Sequence, residues 1–372
     1  MLSGIATLLT LFLSYNGWRN LRARRVLNKI FTEVDTTQTS FTRQSNLTLA
    51  IPARNEESNL KILLEQLVCQ SLRPTQILIL NDSSTDSTEA VIKSFTQTLP
   101  ELSIVQGASL PEGWRGKVWA LKQLLGKTET PSILFLDADV RLPHRDALSS
   151  LWNEWGLLKQ SGFLSVFPRA TCDEGAGFLV HQIQTHLLYL LPSWEIKQFA
   201  DRAVAGCGQV MLAETEALRN LGAFDRLFYS THDGLMLARL FKHNLFNVRH
   251  VDGGDFFTSD YYPDFGSAFL GFSRNDFEAT ETWGVVIGLC LVFALVFIYP
   301  FLNFWSVLFH PLWTLAFASM LVLQYQIAVA YRFPLTHVIL TPVKASASIG
   351  VHLWSFARRL LQLKTIWKDR AV

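Results

Sequence analysis

The chain has 372 residues, of which 49% are hydrophobic and only 17% charged, where a soluble domain carries ~25% charged residues. That deficit excludes a disordered chain and an all-aqueous surface. Lys and Arg number 33 against 31 Asp and Glu, too even a balance for a general nucleic-acid binder. The four cysteines (Cys69, Cys172, Cys207, Cys290) form no C-x-x-C pair, which excludes a disulfide scaffold or zinc ribbon and fits a reduced compartment.

The first fifteen residues carry no charge, and Arg19, Arg22, Arg24, Arg25 and Lys29 follow them. A secretory signal would place basic residues first and end in a cleavage site. The pattern predicts a short membrane anchor over 1–18 or a helix lying in the interface. A basic juxtamembrane linker over 19–45 then marks the cytoplasmic side.

Residues 46–255 read as an α/β domain. Leu47–Ile51, Ile77–Leu80 and Ile133–Leu136 are short apolar runs suited to buried strands. Between the first two, Leu60, Leu63, Leu64 and Leu67 share one helical face. Strands alternating with helices predict a mostly parallel sheet covered on both faces. In such sheets ligands bind beyond the carboxyl ends of the strands, and the polar motifs fall there: Arg54-Asn55-Glu56-Glu57, Asn81-Asp82 and Asp137-Ala138-Asp139.

The remaining chain turns apolar again. Phe256, Phe257, Tyr261, Tyr262, Phe265, Phe269 and Phe272 enrich an aromatic interfacial segment over 256–282, suited to lipid entry or to anchoring. From Trp283 to Tyr331 there are 49 residues without Asp, Glu, Lys or Arg. That length predicts a transmembrane helical hairpin over 283–332, turning between Pro300 and Pro311. Residues 333–372, interrupted by Pro334, Pro342 and Lys344 and ending in a basic tail, read as an interfacial or re-entrant segment that stays cytoplasmic.

Several residues suit chemistry. Asp137 and Asp139 leave a strand at i and i+2, where they can share Mg²⁺ or Mn²⁺ with a diphosphate; alone, D-x-D also serves turns and caps. Asp82, at a strand tip, can accept hydrogen bonds from a nucleoside, as can Glu56 or Glu57; Asp86 reads equally as a helix cap. In Pro111–Ala120, Gly113 and Gly116 permit unusual backbone, and Lys117 opens a helix that favours a phosphate; Trp114 suits a packed plug. Asp233, before the helix LMLARLF, can cap it or act as a general base. His181 and His186 are five apart and read as ordinary helix residues. Arg274 suits a departing diphosphate or a snorkelling position.

Together these motifs resemble membrane-attached family 2 glycosyltransferases, whose catalytic fold is a nucleotide-sugar-binding GT-A domain. I-P-A-R-N-E-E (51–57) is similar to the family's first strand and loop. N-D-S-S-T-D-S-T (81–88) is similar to its D-D-G-S-x-D-x-T, with Asn81 and Ser83 as departures. D-A-D (137–139) matches its metal motif, and Asp233 stands in the place of its acidic base. G-W-R-G-K (113–117), G-F-S-R-N (271–275) and T-I-W-K-D-R (365–370) resemble the branch acting on carotenoid acids and hopanoid-pathway polyisoprenoids, with Asp369 where Gly is usual. The Q-x-x-R-W of processive synthases is not matched, because Gly271 and Asn275 occupy its ends.

The resemblance implies an inverting, non-processive transfer of one sugar, glucose from UDP-glucose, to a polyisoprenoid lipid. The catalytic domain would face the cytoplasm at the cell membrane. Pro52, Ala53, Arg54, Glu56, Asp82, Lys117, Asp137 and Ala138 would bind the nucleotide sugar. Asp139 with Asp137 would hold Mg²⁺ or Mn²⁺, and Asp233 and Arg274 would be catalytic. The alternatives are another lipid acceptor, such as diacylglycerol, a ceramide-like lipid or polyprenyl phosphate, and a non-catalytic nucleotide-sugar-binding scaffold.

Overall fold

The computed structural model describes residues 2–24, 26–27, 43–190, 204–280, 282–361, 363, 366–367 and 370–371. Residues 28–42 of the expected linker lie outside that set, as do Arg25, Lys364, Thr365, Lys368 and Asp369. In chain order the elements begin with α1 (Leu2–Ala23), β1 (Arg43–Ala53), α2 (Glu57–Val68), β2 (Leu72–Asn81), α3 (Thr88–Ser94) and β3 (Leu102–Gln106). There follow α4 (Gly116–Lys127), β4 (Ser132–Leu136), β5 (Val140–Arg141), α5 (Ala147–Leu157), β6 (Phe163–Phe167), β7 (Arg169–Thr171) and α6 (Glu174–Leu190). Next come β8 (Val210–Glu214), α7 (Thr215–Asn220), α8 (Ala223–Arg226), α9 (Asp233–His243), β9 (Val248–Asp252), β10 (Thr258–Asp260) and α10 (Phe265–Thr280). Then come α11 (Trp283–Phe293), a π-helical turn (Ala294–Ile298), α12 (Tyr299–Leu302), α13 (Phe304–Phe309) and α14 (Pro311–Tyr331). Last are α15 (Thr336–Ile339), α16 (Thr341–Leu360), β11 (Ile366–Trp367) and β12 (Arg370–Ala371).

The chain divides into two compact units. One gathers residues 25–169, 200–260 and 366–372 around a seven-stranded sheet of order β3-β2-β1-β4-β8-β6-β9. β3, β2, β1 and β4 run parallel, as do β6 and β9, while β8 lies antiparallel between β4 and β6. All five residues of β4 are buried, as a central strand covered on both faces requires. α2 lays Leu60, Leu63, Leu64 and Leu67 against the core, the stripe its periodicity predicts. The order reverses between β1 and β4, because the chain builds outward through β2 and β3 before returning. Such a reversal opens a crevice at the carboxyl ends of those strands.

The other unit is helical and gathers residues 1–24, 170–199 and 261–365. It therefore takes α6 out of the domain expected to run unbroken over 46–255. Conversely Phe256 and Phe257, expected in an interfacial strip, are 4% and 0% exposed in the core of the sheet unit. The segment 170–190 carries the same apolar content as a soluble helix, so its place could not be read locally.

The helical unit has an apolar core that includes Leu13, Phe293, Met320 and Ile327, and its helices α1 and α16 also bury polar residues. α1 is exposed at Leu2, Ile5, Leu8, Phe12 and Tyr15 and buried at Ala6, Thr7, Thr10, Ser14 and Gly17. A Cβ on Gly17 would stand 2.6 Å from Leu323 of α14, so only glycine permits this close packing. Asn16 and Asn20 donate to the terminal carbonyls of α6 at Tyr189 and Leu188, both at 2.6 Å, satisfying groups a helix end leaves open. α16 likewise buries Thr341, Lys344, Ser348, His352 and Ser355 and exposes Val343, Leu353 and Leu360. The expected interfacial helix would turn its polar face to water; this one turns it inward, as helices in apolar surroundings do.

Two helical stretches, Trp283–Leu302 and Pro311–Tyr331, are long and apolar enough to cross a membrane. The first includes the π-helical turn, whose widened ladder precedes Pro300, a residue with no N–H to donate. Gly271, where processive synthases carry glutamine, underlies Tyr262: a Cβ there would meet the phenol ring at 2.4–2.5 Å.

Candidate active site

The polar motifs gather at the carboxyl ends of β1, β2 and β4. β1 and β2 stay in register as far as Ala53 and Asn81, so the loops that follow leave side by side and lace together. Asp82 N donates to Ala53 O at 2.8 Å, and the Arg54 guanidinium donates to Asp82 O at 2.7 Å. Asn55, at φ 52°, donates its N–H to Ser84 Oγ at 3.0 Å and accepts from Thr85 N at 2.8 Å. Asparagine tolerates that left-handed conformation.

The acidic residues here divide by role. Glu57 N donates to Asp86 Oδ2 at 3.2 Å, Ser87 N to Glu57 Oε2 at 2.8 Å, and Thr88 N to Asp86 Oδ1 at 3.0 Å. Asp86 and Glu57 therefore tie off the starts of α3 and α2. Burial works against ionisation of Asp86, but the bonds from Thr88 and Glu57 hold its carboxyl below the usual range. Glu56 accepts from Asn59 Nδ2 at 2.7 Å, and Asn59 Oδ1 accepts from Arg141 at 2.6 Å. Arg141, 9% exposed, also reaches Ala138 O at 3.4 Å and Asp260 at 3.0 Å. Arg141 thus couples the first loop to the D-A-D turn. The sequence reading passed over it, although it lies two residues beyond Asp139.

Lys117 organises the centre. Its Nζ lies 2.7 Å from Asp137 Oδ2, 3.1 Å from Asp233 Oδ2 and 3.0 Å from Gly208 O. The ammonium donates to Asp137 and to Gly208 O, and pairs in charge with Asp233. Lys117 thus holds two carboxylates together at the start of α4, where contact with a diphosphate is expected. Burial alone would favour neutral lysine, but Asp137 and Asp233 hold the ammonium well above the ordinary range. Burial pushes the Asp137 carboxyl up to about 7; Lys117 opposes this, while Asp139 and Asp233 reinforce it.

Asp233 is the first residue of α9, with His232 at the cap position making no side-chain cap bond. Its Oδ1 accepts from Gly234 N at 2.9 Å. A Cβ on Gly208 would stand 2.1 Å from that oxygen, and one on Gly234 would stand 2.4 Å from Gly208 N. Gly206, Gly208 and Gly234 therefore let two backbones meet beneath the base candidate. The sequence reading missed this G-C-G pair; its only signal was a run of small residues just before a buried strand.

Trp114 packs edge-on to Trp119 with centroids 5.1 Å apart, against Phe228 at 5.9 Å, and beneath the Lys122 ammonium at 4.9 Å. Arg115 N donates to Phe228 O at 2.7 Å and Arg115 Nε to Tyr229 O at 3.1 Å. The G-W-R-G-K loop thus clasps the segment leading to Asp233, and its tryptophan is a plug. Pro52 and Ala53 end β1, and Ala138 is buried between the two aspartates. Arg274 lies on α10 of the helical unit; every other predicted site residue belongs to the sheet unit.

Residues 48–228 match the family model described as glycosyl transferase family 2. The chain is 37% identical over 123 residues to a 4,4'-diaponeurosporenoate glycosyltransferase of Staphylococcus aureus strain bovine RF122 / ET3-1. It is 38% identical over 122 residues to that of strain MRSA252. Each match covers 33% of this chain, and spans only about a third (32% and 31%) of the curated relative's own length. Among solved structures, the mannosyltransferase PcManGT from Pyrobaculum calidifontis, in complex with GDP-Man and Mn²⁺, is similar at a TM-score of 0.53 and 16% identity. That match covers 98% of this chain and 100% of the other, a likeness of fold. The sheet unit has the GT-A fold, and its residues 48–228 match glycosyl transferase family 2.

Proposed function

We propose that the protein transfers one glucose, with inversion, from UDP-glucose to a polyisoprenoid lipid of the carotenoid or hopanoid type. The transfer takes place at the cytoplasmic face of the cell membrane, into which the two long apolar helices insert. The observation that carries this reading is the Lys117 bridge, which holds Asp137 and Asp233 together beside Asp139 at the carboxyl ends of the parallel strands. The names of the Staphylococcus relatives support the acceptor class.

Asp139 and Asp137 fit a divalent cation. They bring two hard oxygen ligands to one strand exit, where carboxylate charge exceeds what Lys117 neutralises. Among the described residues no three His, Cys, Asp or Glu side chains group as a metal site. Mg²⁺ characteristically completes such a shell with substrate phosphates and water. A cation held there would supply neutralisation of the leaving diphosphate. Asp82 and Glu56 orient the nucleoside, with Pro52, Ala53, Arg54 and Ala138 shaping its bed. Asp233, kept in place by Lys117 and Gly208, accepts the proton of an alcohol acceptor. A carboxylic acid acceptor, with pKa ~4, arrives already ionised.

The test is to incubate the detergent-purified chain with UDP-glucose, Mn²⁺ and a membrane lipid extract, and to search the products by mass spectrometry. One added hexose on a polyisoprenoid supports the reading. No product from any nucleotide sugar, with no metal-dependent nucleotide binding, sinks it. In the same assay Gly208→Ala should lower kcat by about 10² or more, the scale of misplacing a catalytic group by ~1 Å. Unchanged circular dichroism and UDP binding would distinguish that loss from misfolding.

A further inference from the structure

The interior of the helical unit holds a polar cluster that has no part in the transfer described above. Lys344, in the first turn of α16, is 0% exposed. Its Nζ lies 3.2 Å from His181 Nδ1 on α6 and 3.2 Å from Gln324 Oε1 on α14. His181, also 0% exposed, stacks on Phe333 with centroids 4.7 Å apart and on His337 of α15 at 5.6 Å. Farther along α6, His186 lies 2.9 Å from Gln182 and 6.0 Å from His352, which meets Asp276 at 2.8 Å. The His352 end thus has a carboxylate. Among the described residues, Lys344 has none.

The hydrogen-bond inventory is lopsided toward donors. An ammonium has three donors and no acceptor, and Lys344 has two acceptors. His181 Nδ1 accepts from Lys344, so in the neutral ring the proton sits on Nε2. That Nε2 is buried and has no hydrogen-bond partner, and neither has His337 Nδ1. Burial, together with the charge of Lys344, pushes His181 down to about 2 and His337 to about 4, so both rings are neutral at pH 7. Burial alone pushes Lys344 down to about 7. A cation so placed without a counter-charge is costly, and an anion would satisfy it and the orphaned donors together.

We infer that Lys344, His181 and His337 form a buried binding site for the carboxylate of a lipid acid. A lipid suits the site because Phe333 and Phe178 flank the histidines and the surrounding helices expose apolar residues outward. This binding does not depend on the transfer reading above. The cluster would then select acidic polyisoprenoids over neutral ones.

The test uses the full chain in neutral detergent without nucleotide or metal, and all-trans-retinoic acid and all-trans-retinol as probes of tryptophan fluorescence. Charge-assisted hydrogen bonding should favour the acid by about tenfold or more. Lys344→Met should erase that preference, leave retinol binding unchanged, and keep or raise Tm, because a buried unpaired charge is gone. His337→Phe keeps the stacked ring, loses a donor, and should weaken acid binding several-fold; it serves as the second variant if the first fails to fold. Equal binding of acid and alcohol, or full acid preference in a folded variant, overturns the site. Displacement of retinoic acid by inorganic phosphate overturns its assignment to a lipid. Mn²⁺-dependent UDP binding, measured separately on the same protein, reports on the transfer reading and is independent of this one.

Discussion

Asp139→Ala should lower kcat by about 10³ and abolish the metal dependence of UDP binding, since losing ~4 kcal/mol of charge stabilisation in the transition state costs three decades of rate. The protein should stay folded. Asp139 is part-exposed beyond β4, and its negative charge crowds Asp137, so its removal relieves repulsion and Tm should hold or rise. Asp137→Ala should be equally inactive but less stable, because it strips the Lys117 ammonium of its 2.7 Å partner. Activity and Tm measured on both variants separate metal binding from structural support. An Asp139→Ala enzyme within about tenfold of wild type would remove the metal from the reading.

Asp233→Asn should behave differently with different acceptors. With a lipid alcohol the loss should be ~10²–10⁴, the usual contribution of a general base. With a lipid acid, already ionised at neutral pH, the loss should stay within about tenfold. Asparagine keeps the volume and can still accept from Lys117 and from Gly234 N, so the change tests charge and basicity more than packing. Rates measured on a matched alcohol and acid decide the matter. Equal losses on both would mean that Asp233 only holds Lys117 in place. A selective loss on the alcohol would show that Asp233 acts as a base, a service an ionised acid acceptor does not need.

The sheet was legible because its signals are local. Leu47–Ile51, Ile77–Leu80 and Ile133–Leu136 are apolar runs too short for helices, and each lies within an observed strand. The helical stripe of Leu60, Leu63, Leu64 and Leu67 appears as drawn. The Asp137-Ala138-Asp139 turn was recognisable because it ends a buried strand, and strand ends bearing acid residues are where an α/β sheet meets its ligand.

Lys117 shows the limit. Its position at the start of a helix suggested a phosphate ligand. Its ammonium instead donates to Asp137, 20 residues on, and to Gly208 O, 91 residues on, and pairs in charge with Asp233. No local pattern records such meetings. The same holds for α6: its residues read as one more helix of the catalytic domain, while His181 and Gln182 are completely buried in the helical unit. α16 shows a third kind of gap. Periodicity reveals that a helix has two faces, but not which solvent each face meets.

The sequence by itself determined the strands, the helix faces, the acidic strand exits and the two long apolar helices. Each rests on residue type and spacing within a dozen positions, which the 2- and 3.6-residue periods make readable. Only the tertiary structure decided which buried donor meets which acceptor, why Gly208 must be glycine, and that Lys344 is enclosed with histidines and, among the described residues, no acid. Those facts depend on directional bonds of about 3 Å between distant parts of the chain, and hydrophobic patterning, which is non-directional, carries no record of them.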